Sequence, residues 1–260
     1  MTSASEARET PASPGPAVEE LLLAWFAHSG RDLPWRRTHD AYSILVSEVM
    51  LQQTQVDRVV PRYERWLARW PTVEALAKAS SAAVIVEWQG LGYNRRAVSL
   101  HRAARHVAAE GWPADLTVLP GVGPYTAAAV RNFAFGEDVM PRDVNVERVE
   151  RRSAHAFAAR SAQAVMDLGA TICLARIPRC VTCPLASACP SRGVRDAAAR
   201  KQSPFEGSFR QRRAAVLRTV AAASRGGEGM ETAGLDEAVV GSLVRDGLVT
   251  VDGERVRLPD

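Results

Sequence analysis

Leu119-Pro-Gly-Val-Gly-Pro-Tyr-Thr-Ala-Ala-Ala-Val130 places two glycines on either side of one valine and then runs into an Ala-rich segment. Alanine is the best helix former and proline is favoured in a first helical turn, so the stretch predicts a tight turn opening directly into a helix. Gly121 and Gly123 let the backbone come close to a ligand. The unbonded N–H groups of the new helix favour an anion such as a phosphate. A Gly-x-Gly turn by itself is common to many helix–helix connections, so its meaning rests on what surrounds it.

Outward from this turn, between Val18 and about Arg200, apolar residues recur at helical spacing and are interrupted by Pro, Gly and Asn. No strand-like alternation is sustained, and the fold class expected is all-α. Helices are predicted over Val18–Phe26, from near Ala41 through Val49, from Pro61 to Trp70, over Thr72–Ala77 and Ser81–Trp88, and over Asn94–Ala109. Pro34 marks His28–Arg37 as a loop. Trp66, Trp70 and Trp88 are expected in the core. After Phe205 the character changes. Arg210–Ala223 and Glu231–Asp246 read as helices, and Leu248–Val251 and Arg255–Leu258 as short strands joined at Asp252-Gly253. A small winged-helix-like appendage over 205–260 is the expectation.

Composition narrows the classes. The 260 residues are 47% hydrophobic and 24% charged, a balance that can bury a core. Apolar runs such as Leu21–Ala27 are far shorter than a membrane-spanning helix, which needs about 20 residues. Residues 1–17 carry Ser, Pro and acids without an apolar run, and read as a disordered tail rather than a secretory signal. The expected location is the cytoplasm, on the nucleoid. The net charge of +4 is compatible with a polyanion. Lys78 and Lys201 are the only lysines, so arginine, whose fork suits phosphate, carries nearly all the positive charge.

The four cysteines form one pattern, Cys173-x6-Cys180-x2-Cys183-x5-Cys189. Such crowding in a cytoplasmic chain points to a metal site rather than disulfides, with structural zinc and an iron–sulfur cluster as the candidates. Zinc usually takes two short Cys-x2-4-Cys knuckles set well apart, and only one such pair is present, which favours a [4Fe–4S] cluster. Arg176 and Arg179 in the longest loop of the pattern could meet phosphates.

Twenty residues beyond Gly123 lies Asp143-Val-Asn-Val-Glu-Arg-Val149, an acid at an apparent helix start. The succession of Leu-Pro-Gly-Val-Gly turn, Asp-x-Asn-Val-x-Arg-Val segment and cysteine loop resembles the helix-hairpin-helix DNA glycosylase superfamily. Leu33-Pro-Trp-Arg36, Ser47-Glu-Val-Met-Leu-Gln-Gln-Thr-Gln-Val56 and Trp88-Gln-Gly-Leu-Gly-Tyr93 resemble its adenine-specific, MutY-type branch, over roughly residues 18–195.

The resemblance implies two helical lobes, one of residues 18–38 with 138–200 holding a [4Fe–4S] cluster on Cys173, Cys180, Cys183 and Cys189, the other of residues 39–137 carrying the hairpin. It implies a monomer acting on double-stranded DNA that contains a mispair. Glu48, among Val46, Val49 and Met50, matches the acid that protonates the adenine ring, and burial there raises a carboxyl pKa. Asp143 matches the carboxylate that stabilises the sugar cation. Tyr125 and Asn145 match positions that hydrogen-bond around the site. Gln53 and Tyr93 match the mispair-contacting and wedge positions that base extrusion requires, assisted by Leu51, Thr54 and Leu91. Trp35 and Arg36 match a loop beside the base pocket, and Gly121 and Gly123 the phosphate-binding hairpin.

Bifunctional relatives use a lysine in the hairpin region, where this chain has Tyr125, so a monofunctional enzyme is expected. The chain departs from the pattern in four places. The segment from Arg152 to Gln163 is shortened, Val144 stands where Gly is common, Arg142 stands where an apolar residue is usual, and the tail after Phe205 is too short for the large C-terminal domain that aids 8-oxoguanine recognition. Adenine opposite 8-oxoguanine or guanine is the leading substrate. A glycosylase for thymine, uracil or hypoxanthine and a catalytically silent DNA-binding module are the alternatives, and the presence of both Glu48 and Asp143 argues against silence.

Overall fold

A computed structural model describes residues 15–197, 204–224 and 229–260. The helices are α1 (Gly15–Ser29), α2 (Ala41–Leu51), α3 (Val56–Arg69), α4 (Val73–Ala77), α5 (Ser81–Trp88), α6 (Arg95–Glu110), α7 (Pro124–Phe133), α8 (Val144–Ser153), α9 (Ala162–Thr171), α10 (Phe209–Ser224) and α11 (Glu237–Arg245). Three short strands, β1 (Met230–Glu231), β2 (Thr250–Asp252) and β3 (Arg255–Arg257), form an antiparallel sheet in the order β1-β3-β2. The fold is mostly helical, as the periodicity predicts. Most of the expected tail lies outside the described residues, but α1 begins at Gly15, inside it.

Local chemistry sets many boundaries. Asp40, Thr72 and Ser80 each accept a bond from a first-turn amide, at 2.7, 3.2 and 3.2 Å, and so start α2, α4 and α5. Pro61 does not begin a helix as expected. It lies inside α3, whose N-cap is Gln55, and its missing N–H forfeits one bond in the second turn. The helix expected over Glu231–Asp246 starts only at Glu237, because Met230 and Glu231 pair with Val256 and Arg255 and the chain turns before the Asp236 cap. The Asp252-Gly253 turn joins β2 to β3 as its residues predict.

The chain divides into two compact units, Met1–Arg31 with Arg142–Ala198 and Asp32–Pro141 with Ala199–Asp260. In the first unit α1 packs on α9, and Arg31 holds the fully buried Asp167 through its amide and Nε, both at 2.8 Å. The shortened connection after α8 turns at Ala154, in the left-handed region at φ 54°, and reaches α9 through a 3-10 turn at Ala159–Ser161. The lobe boundaries expected at 38/39 and 137/138 fall instead at 31/32 and 141/142, since Leu33 and Trp35 already enter the core of the second unit.

That core is built round Trp66 and Trp88, both with no exposed surface and meeting edge to face at 5.5 Å. The Trp66 indole donates to the Tyr42 hydroxyl at 3.1 Å, which donates to the Trp70 carbonyl at 2.9 Å, so the buried polar atoms are paired. The C-terminal segment forms the expected small module of helices and hairpin, and it docks on α5. Ile85 of α5 belongs to the same buried cluster as Leu217, Val239, Leu243 and Val256, with Val86 and Val98 packed round it. The module therefore shares a unit with the helical lobe, because its own apolar face closes only on α5 and α6.

Candidate active site and nucleic-acid interface

In the second unit the quoted stretch forms the expected tight turn, between a 3-10 turn at Leu116–Val118 and α7. Gly121 adopts φ 81°, and a Cβ there would stand 2.7 Å from the Ser99 Cβ, so both backbone conformation and close approach require glycine. Gly123 has an ordinary negative φ and open space beside it, and no side chain caps the first turn of α7. Tyr125 is half-buried on that turn, and α7 packs against α2. Glu48 lies on α2 and is 6% exposed.

Beyond the end of α2 the chain is shaped by one side chain. The Arg96 guanidinium donates to the carbonyls of Val49 (2.9 Å), Met50 (3.0 Å) and Gln52, to the Thr54 hydroxyl (3.1 Å), and to the carbonyls of Leu91 (3.3 Å) and Gly92 (3.0 Å). It thereby ties the C-terminal carbonyls of α2 to the 89–93 loop. Burial pulls its pKa down to about 10, so it stays charged at neutral pH. Gln53 and Tyr93, in the two loops so joined, are both left-handed, at φ 56° and 46°. Such conformations cost of order 1 kcal/mol or more for residues with side chains and persist where surroundings over-determine them. Gln53 is exposed and Tyr93 is 45% exposed, so two strained side chains are offered to solvent.

In the first unit Asp143 caps α8. Its carboxylate accepts from the amides of Asn145 (2.9 Å) and Val146 (2.7 Å) and from Asn145 Nδ2 (2.7 Å). Asn145 Oδ1 in turn accepts from Arg148 Nη2 at 2.6 Å, and Arg148 also donates to the carbonyls of Gly169 (2.7 Å) and Cys173 (2.7 Å). A Cβ on Gly169 would lie 2.6 Å from that of Asn145, so α9 presses directly on the residue that orients the acid. One continuous set of bonds thus runs from Asp143 to the backbone of the first cysteine.

Cys173, Cys180, Cys183 and Cys189 line one small cavity together with Arg152 and Ile172. Burial, reinforced by the charges of the other three cysteines, pushes the Cys183 thiol up to about 11. Arg152, 2% exposed, donates to Cys173 Sγ at 3.5 Å, and the Gly193 amide donates to Cys180 Sγ at 3.3 Å. Among the described residues no three His, Cys, Asp or Glu side chains are disposed to hold a single metal ion.

Residues 46–171 match the family described as HhH-GPD superfamily base excision DNA repair protein. The chain is 43% identical to an adenine DNA glycosylase of Mycolicibacterium smegmatis, over 75% of this chain and 78% of that one. It is 40% identical to an adenine DNA glycosylase of Mycobacterium tuberculosis, over 92% of each. The chain is a MutY-type helix-hairpin-helix glycosylase. Among solved structures this MutY-type chain is similar to a thermostable thymine-DNA glycosylase, with a TM-score of 0.62 and 27% identity over 68% of this chain and 95% of that one.

In this MutY-type chain the expected acids lie on different units, Glu48 on the second and Asp143 on the first. Trp35 is buried, 8% exposed, and packs edge to face with Tyr63 at 5.4 Å. Arg36, next to it in the 3-10 turn Pro34–Arg36, is half-buried. Leu91 is buried and Leu51 and Thr54 half-buried, supporting the loop that carries Gln53. Arg96 and Arg148 are internal organisers, their donors taken by protein oxygens. Arg95, Arg176 and Arg179 are exposed. Arg142, outside the usual pattern, is exposed and pairs with Glu150. Sequence reading missed Arg152, although its spacing of four from Arg148 puts both on one face of α8.

Proposed function

We propose that this protein is a monofunctional DNA glycosylase that hydrolyses the N-glycosidic bond of adenine mispaired with 8-oxoguanine or guanine in duplex DNA. The single observation carrying the reading is the setting of Asp143. Its carboxylate accepts three N–H bonds, with Asn145 held in turn by Arg148, and is aimed by its neighbours. A carboxylate so placed stabilises positive charge developing on a sugar. Glu48, buried on the other unit, is then the acid: it gives its proton to the adenine ring, the base departs neutral, and water adds to the sugar cation to leave an abasic site. No amine takes part in this reading: Tyr125 stands at the hairpin position, and neither Lys78, the C-cap of α4, nor Lys201, outside the described residues, lies in a matching motif.

We infer a [4Fe–4S] cluster on Cys173, Cys180, Cys183 and Cys189. Four thiols lining one cavity, with only one short Cys-x2-Cys pair in their spacing, suit a cluster better than zinc, which usually takes two such pairs. Bound there, the cluster supplies a structural tie for a loop with little core of its own. The Cys180 sulfur already receives the Gly193 amide, and Arg152 stands at the Cys173 sulfur.

The likeness to a thymine-DNA glycosylase structure favours one second reading, removal of thymine opposite guanine. A panel of duplexes with A opposite 8-oxoguanine, A opposite G, T opposite G and U opposite G separates the two. Adenine loss that gives strand breaks only after hot alkali is the expected result. Breaks without alkali would remove the monofunctional assignment, and excision confined to T or U would remove the adenine assignment.

A further inference from the structure

In the second unit a cavity of about 470 Å³ lies between α5 and α6 on one side and α11 with β2 on the other. Its apolar lining is aliphatic. Val84 and Val98 come from the lobe and Val244 and Val251 from the module, the last two 41% and 44% exposed. Arg102 and Arg105, one turn apart on α6, line it as exposed cations. No acid lines the cavity, and among the described residues neither arginine is paired with a carboxylate. Arg105 donates through Nε to the Ala77 carbonyl at 3.3 Å. Ser81 and Thr250 add hydroxyls. His101 also lines the cavity, and its buried Nε2 has no hydrogen-bond partner among the described residues.

An occupant of this cavity has to be anionic and aliphatic at once. Guanidinium groups match carboxylates and phosphates through paired N–H bonds, whereas branched aliphatic side chains gain only by being covered with apolar surface. No Phe, Tyr or Trp lines the cavity, so a nucleobase finds no such ring to stack on. A phosphate alone would leave the valines uncovered. We propose that the cavity docks a short acidic segment of a partner protein, with one aliphatic side chain seated on the valines and neighbouring carboxylates held by Arg102 and Arg105. Glu48, Gln53 and Tyr93 are not among the lining residues, so the segment is bound without occupying them. The junction of lobe and module thereby serves as a protein-docking site, a role separate from base excision.

Selection of a displayed random-heptapeptide library on the full chain tests this. A consensus of Leu, Ile or Val flanked by Asp or Glu is expected, and a fluorescein-labelled peptide of that consensus should bind saturably by anisotropy. Arg102→Gln and Arg105→Gln should each weaken it roughly tenfold, the loss of one charge-assisted pair. Val244→Glu, which sets a carboxylate among the valines, should abolish it, and the melting temperatures of all three variants should stay near wild type. A selection without an acidic–aliphatic consensus, or peptide binding indifferent to both arginine substitutions, would overturn the proposal. So would displacement of the peptide by an equimolar matched duplex, which would give the arginines to DNA, or by adenosine monophosphate or inorganic phosphate, which would make the cavity a small-anion site.

Discussion

At the residue scale the two acids are distinguished by their surroundings. Asp143 receives three N–H donors at the start of α8, and Glu48 is buried on α2, 6% exposed. Asp143→Asn should lower single-turnover adenine excision by at least about a thousandfold, the scale seen on removing a transition-state charge partner, while mispair binding in a gel-shift assay stays near wild type. Glu48→Gln should also stop adenine release, since an amide donates no useful proton to a departing purine. Uracil departs as an anion and would escape that requirement. Adenine excision at the wild-type rate by Glu48→Gln would exclude the general-acid role.

At the scale of elements, two loops owe their form to features that can be removed singly. Gly121→Ala places a methyl in left-handed backbone and against Ser99, and should cost at least about 1–2 kcal/mol, read as a lower denaturation midpoint. A midpoint equal to wild type would show that the hairpin does not need its observed geometry. In the cysteine loop, purified protein should carry about four irons per chain, as a [4Fe–4S] cluster requires, and absorb broadly toward the violet. Cys183→Ser should lose most of that iron and leave a less stable protein. Stoichiometric zinc without iron in the wild type would sink the cluster assignment.

At the scale of the molecule, the arginines divide by whether protein oxygens already occupy them. Arg95, Arg176 and Arg179 are exposed, whereas Arg148 is 9% exposed with its donors filled. Duplex affinity should therefore fall steeply with salt, and each of Arg95→Gln, Arg176→Gln and Arg179→Gln should reduce the slope of log K against log salt by about 1. Arg148→Gln should leave the slope alone and lower the melting temperature instead, because it strands the Cys173 and Gly169 carbonyls and frees Asn145. A slope unchanged in all three exposed variants would place the phosphate contacts elsewhere.

What the amino-acid sequence determined by itself is short in range. The capping bonds of Asp40, Thr72, Ser80 and Asp143 span two or three residues, the Gly121 turn and the Asp252-Gly253 hairpin are set by local dihedral preference, and the cysteines declare a common site by spacing alone. Glu48 and Asp143 stand out as candidates for the same reason, since their neighbours in the chain carry the motif. Only tertiary structure decided which charged and aromatic groups are spent inside. The carbonyls more than forty residues earlier that converge on Arg96, and the packing of Trp35 on the edge of Tyr63, exist only in the folded chain. Met230 and Glu231 read as helical until β3, some twenty-five residues later, takes them as strand partners. Where the C-terminal module docks is decided by Ile85 of α5, which enters its core. Side-chain periodicity and capping report interactions within about one helical turn, whereas these contacts exist only when distant segments meet, and no local pattern encodes which of them will.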